Sequence, residues 1–121
     1  MTSPLGDARV ALAAKLVPLG WRVYATAIEA PAPPCFQIGF GTPWIYHRRL
    51  AGRVVDVNLQ IRAVVPAVGG NIESLDLLEQ MVWAANSVVM VLGETEPPRT
   101  DTINQIEVLV ADLTVLAQVK E

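Results

Sequence analysis

Cysteine and histidine each occur once in this 121-residue chain, as Cys35 and His47. A lone cysteine excludes an internal disulfide and every multi-cysteine zinc pattern, and it leaves the redox compartment open. Metal sites and acid–base catalysis need convergent His, Cys, Asp or Glu. Here the one Cys and the one His are separated by a stretch rich in proline and glycine, with no third orienting group in view. Gly39-Phe40-Gly41 and Gly69-Gly70 lack the lysine and helix context of a phosphate loop and read as turn glycines. No catalytic residue, metal ligand or cofactor site is therefore assigned.

Charge is also sparse, at 17% of residues against about 25% in a typical soluble domain. A net charge of -3 and a pI near 5.1 argue against a primary nucleic-acid binder, whose affinity comes from clustered Lys and Arg. The basic cluster His47-Arg48-Arg49, with Arg53 nearby, reads as a solvated loop or strand end. No apolar run approaches the roughly 20 residues that a bilayer demands. Met1-Thr2-Ser3-Pro4 lacks the basic start and apolar stretch of a signal peptide, so a protein made and used without export is expected.

What the chain does have is apolar residues, 52% of the total. That is more apolar surface than one small core needs, so some apolar faces are expected to meet other chains. The length suits a single domain over residues 1–121 that buries roughly two thirds of the unfolded chain's surface.

Ser3-Pro4 reads as a helix start, with Leu5, Ala8, Leu12, Leu16 and Leu19 on one face and a stop within Val17 to Gly20, where Pro18 and Gly20 end helical geometry. Trp21 to Tyr24 reads as a short strand, and Ala30 to Pro34 as an extended, mostly exposed segment. A second strand is expected over Cys35 to Phe40, ended by Gly39, Gly41 and Pro43.

The clearest signal runs from Arg53 to Val65, where Val55, Val57, Leu59, Ile61, Ala63 and Val65 alternate with polar residues, a strand with one wet face. Asn71 is placed to cap a second helix whose buried stripe is Leu75, Leu78, Val82, Ala85, Val89 and Leu92, apolar all round beyond Asn86 and stopped by Gly93. Glu94 to Thr102 reads as a polar loop and Ile103 to Val119 as one long strand, with Leu109, Ala111, Leu113, Val115, Ala117 and Val119 inward and Leu116 out of pattern. The order is α-β-β-β-α-β. This predicts an α+β fold, a mainly antiparallel sheet of about four strands with two helices on one face.

Some apolar residues stand where no periodicity places them in the core: Phe40, then Trp44, Ile45 and Tyr46. Such residues either plug the end of the core or anchor an interface. Trp83 breaks the polar face of the second helix, and core or subunit contact would each explain it. With Val88 and Val91 near that helix's end, these are the candidate interface residues.

Taken in order, Pro18 to Tyr24 closing the first helix, the proline-rich stretch, Pro43-Trp44, the long alternating strand, the helix around Leu75 to Trp83 and the closing Asp112-Leu113-Thr114-Val115 strand resemble tail terminator proteins of actinobacterial siphophages. The resemblance spans nearly the whole chain. It implies a structural virion protein in a hexameric ring that caps the tail tube protein, stops tail polymerisation and docks onto a neck or head-completion protein. DNA would pass through the lumen without specific binding, and the protein would sit in the virion at the head-proximal end of the tail, after assembly in the host cytoplasm. Two other readings remain open. One is another neck component, such as a head-closure or adaptor protein; the other is a small ligand-binding α+β oligomer with convergent polar groups in a pocket.

Overall fold

The computed structural model describes residues 4–25, 32–47, 54–67, 71–89, 91–93, 95–103 and 105–120. Its elements are helix α1 (Pro4–Leu16) running into a 3-10 turn (Val17–Leu19), strands β1 (Arg22–Tyr24), β2 (Cys35–His47) and β3 (Val54–Pro66), helix α2 (Asn71–Val88), and strands β4 (Val91–Leu92), β5 (Arg99–Ile103) and β6 (Ile106–Lys120). The fold is α+β, with both helices against one face of a mixed sheet ordered β1-β2-β3-β6-β4. β5 also pairs with β6. Because β3 occupies one edge of β6 from Val108 to Lys120, β4 and β5 share the other, at Thr114–Val115 and Ile106–Val110 respectively.

The alternation of β3 sets the core. Val57, Leu59, Ile61, Ala63 and Val65 are all buried on the helix side, and β6 matches them in register with Ala111, Leu113 and Val115. Against this floor pack Leu12 and Leu16 of α1 and Leu78, Met81 and Ala85 of α2, followed by Val89. α1 ends as its sequence predicts: Pro18 lies within the tighter turn that begins at Val17, and Gly20, at φ 101°, donates its N–H to the Val17 carbonyl at 3.2 Å. Only a residue without a Cβ adopts that left-handed conformation at no steric cost.

The structure corrects several sequence expectations. β1 lies parallel to β2, so the sheet is mixed. β2 does not end at Phe40 but continues through Pro43 to His47. The register explains how: Phe40 faces Leu59 and Ile45 faces Val57, so four residues of β2 stand against the single Asn58. A bulge of this kind frees Pro43 from the ladder hydrogen bonds it cannot make.

Ala32 to Pro34 is half-buried, with the Ala32 N–H donated to the Tyr24 hydroxyl at 3.2 Å; the rest of the proline-rich segment lies outside the described residues. Glu94 to Thr102 is not wholly loop, because β5 begins at Arg99, and the expected strand from Ile103 divides at a two-residue hairpin in which Gln105 takes φ 65°.

α2 is rolled relative to the expected stripe. Met81 is fully buried and Ser74 nearly so, while Leu75 is exposed and Val82 half-buried. Ser74 accounts for part of this, since its hydroxyl donates to the Pro66 carbonyl at 2.7 Å and holds the first turn against the end of β3. The helix stops at Val88. Val91–Leu92 then pairs with β6, so the helix end expected to be apolar all round is partly a strand.

Candidate functional site

The chain's one cysteine and one histidine do not come together. Cys35 and His47 are the first and last residues of β2, roughly 30–40 Å apart along the strand, which rules out a direct dyad between them. Cys35 lies on the face opposite the helices, in a fully buried cluster with Val64, Val108 and Val110, flanked by Tyr24 and Ile103. Burial pushes its thiol up to about 11, and the nearby Arg22 charge only partly opposes this. At pH 8 about one thiol in a thousand would be ionised. The folded protein is therefore expected to resist thiol-modifying reagents at pH 8 and to react promptly in denaturant, and fast labelling of the native state would contradict this placement.

The charged cluster that the structure does assemble was not foreseen, although its members sit on the wet faces of alternating strands. Arg62 of β3 faces Asp112 of β6, with Nε 2.8 Å and Nη2 3.3 Å from the two carboxylate oxygens. Arg99 of β5 reaches the same carboxylate at 2.8 Å. Asp112 thus ties three strands together. Burial pushes its carboxyl up, but the hydrogen bonds from Arg62 and Arg99 and their charges outweigh this and hold it below the ordinary value.

A depressed folded-state value contributes stability above the unfolded carboxylate range, and that contribution is lost as pH falls through the folded value. Asp112→Asn is accordingly expected to cost about 1–2 kcal/mol at pH 7. The difference from wild type should be full above the ordinary carboxylate range and should shrink as pH falls below it through the depressed value of Asp112 itself. A gap independent of pH would show that the pair is not the cause.

The candidate interface residues are scattered. Phe40 is 55% exposed on the helix side of β2, with the Arg9 guanidinium carbon 5.6 Å from its ring centroid. Ile45 and Val91 are half-buried and pack against their own core. Val88 is 39% exposed at the last turn of α2. The side chains of Trp44 and Tyr46 lie outside the described residues. Trp83 is the outlier, 78% exposed on the side of α2 turned away from the sheet. Glu79, Gln80, Asn86 and Ser87, one turn to either side of it, are all exposed and polar.

A second surface escaped the sequence reading. Between α1 and the C-terminal half of β6 lies an open groove of about 350 Å³, lined by Ala8, Leu12, Lys15, Val89, Leu116 and Ala117 among others. Among the described residues Lys15 is its one charged lining residue, and every other lining side chain is apolar. Leu116, the residue that breaks the alternation of β6 and is 42% exposed, borders the groove by position but belongs to the face of the strand opposite Val115 and Ala117.

Among the described residues no group of three or more His, Cys, Asp or Glu could hold a metal ion, and no helix is long and apolar enough to cross a membrane. In comparisons with known proteins, no family model matches the chain and no curated protein matches it significantly.

Proposed function

We propose that this protein is a structural, self-assembling virion component, a tail terminator that forms a ring at the head-proximal end of a long non-contractile phage tail. In this reading it acts by binding alone. One ring face seats on the last ring of tail tube protein, the other receives the neck, and neighbouring copies meet along apolar seams while DNA passes through the lumen.

The observation that carries the assembly part of this reading is Trp83, a large aromatic 78% exposed on an otherwise polar helix face, where its own core has no use for it. Tryptophan is among the residues most enriched at the energetic centres of interfaces. The groove lining supports the same reading, since a small-ligand pocket needs several convergent polar groups and this one offers, among the described residues, Lys15 alone. The terminator role itself rests on the order of elements from Pro18 to Val115 that resembles that family.

The mildly acidic chain, at -3, suits a lumen that must let DNA slide, because a basic lining would retain phosphates. Native mass spectrometry of the purified protein, together with electron microscopy of virions decorated with antibody to it, tests the proposal. A closed multi-copy ring and a label at the head-proximal end of the tail are expected. A protein that stays monomeric at all concentrations and is absent from virions would overturn it.

A further inference from the structure

The chain is electrically lopsided. Residues 1–62 contain Arg9, Lys15, Arg22, Arg48, Arg49, Arg53 and Arg62, seven of its nine Lys and Arg. Residues 63–98 contain none, and no histidine, but carry Glu73, Asp76, Glu79, Glu94 and Glu96. α2 lies wholly in the acidic stretch, and Asp76 and Glu79 are exposed along the same outer side as Trp83. α1 lies in the basic stretch and contributes Lys15 to the apolar groove against β6.

An aromatic knob among carboxylates and an apolar groove with a lysine are therefore two different surfaces of one chain, with no described lining residue of the groove belonging to α2 proper. Complementary surfaces at different places on one molecule make head-to-tail contacts, which close into rings when the rotation allows.

We propose that the seam between copies is formed by Trp83 of one copy seated in the α1–β6 groove of the next, with Glu79 and Asp76 facing the neighbour's Lys15. The occupant is a second copy of this chain, so the inference rests on the ring reading above and specifies its contact. The groove's volume of about 350 Å³ accommodates an indole. The opposite charges orient the approach, and like charges would oppose the reversed pairing of groove with groove or α2 with α2.

The test uses two variants of the full chain, each damaging one surface. Trp83→Ala removes the knob and leaves the groove, while Ala11→Trp fills the groove, which Ala11 also lines, and leaves the knob. Circular dichroism and thermal midpoints check that both remain folded; a Glu79→Lys variant with its compensating Lys15→Glu partner covers the case in which Ala11→Trp disturbs α1. Native mass spectrometry reads the assembly. The wild type is expected to form closed multimers and each variant alone to remain monomeric, with self-association weakened about 30-fold or more. A one-to-one mixture should form dimers and nothing larger, because only one productive contact can form. In the charge series each single reversal should weaken assembly and the pair should restore it.

If both variants assemble like the wild type, or the mixture yields no dimer, the seam lies elsewhere and the inference falls while the ring reading stands. It falls likewise if the acidic face proves necessary only for holding a tube or neck protein. If the wild type is itself monomeric even in virions, the ring reading fails first and this inference with it.

Discussion

Replacing Phe36 with alanine is expected to cost about 3–5 kcal/mol of folding stability, a large share of the 5–15 kcal/mol that holds a domain of this kind together. Phe36 is completely buried on the helix side of β2 and packs edge-on against Trp21, with ring centroids 5.9 Å apart and planes at 80°. Its neighbours belong to three elements that meet only in the fold: Val23 of β1, Ala63 of β3 and the α1 residues that roof the sheet. Truncation leaves a cavity that this arrangement cannot collapse into without moving strand β1.

Phe40 supplies the control, being the same residue type on the same strand and the same side but 55% exposed under Arg9. Phe40→Ala should cost about 1 kcal/mol or less. Urea unfolding of both variants decides the matter. Equal losses would mean that the core does not end between Ile38 and Phe40.

Gly41→Val should cost about 2–3 kcal/mol, for a reason that burial alone would not suggest. A Cβ at position 41 would stand 2.8 Å from the Asn58 Cβ, 3.0 Å from its carbonyl oxygen and 3.1 Å from its carbonyl carbon. Two of those atoms are backbone of β3, which cannot swing aside as a long side chain would. The bulge would have to open, and with it the pairing of Ile45 with Val57 and of His47 with Val55. Gly39, two residues earlier, is the comparison: a Cβ there would meet only the Gln60 Oε1, at 3.7 Å. Gly39→Ala should be tolerated within about 1 kcal/mol. Thermal melts, with amide exchange of residues 54–58 as a local readout, separate the two. Similar stability and exchange for both variants would show that the close approach at Gly41 does not matter.

Several features were legible in local pattern because their causes are local. The end of α1 follows from Pro18 and Gly20 within one turn of chain, and the buried set of β3 follows from a period of two that any half-covered strand must show. The α+β class and the two helices on one face follow from the same periodicities.

The roll of α2 did not, since Leu75, Val82 and Met81 are all apolar, and packing on the sheet together with the Ser74 anchor to Pro66 selects among the faces. Nor did the ion cluster. Arg62 and Asp112 are separated by 50 positions, and nothing in either segment states the register that sets them opposite each other.

The sequence by itself determined where α1 stops, where α2 starts, and which residues of β3 face the helices. It did so because capping, proline geometry and hydrophobic period act over a few neighbouring residues. Only the tertiary structure decided that β1 runs parallel to β2, that β2 passes Pro43 by bulging over Asn58, that the last segment doubles back at Gln105, and that a groove opens between α1 and β6. Each of these depends on which backbone groups find partners across the sheet. That choice is made by the packing of distant segments against one another, and it leaves little mark on the residues nearby in the chain.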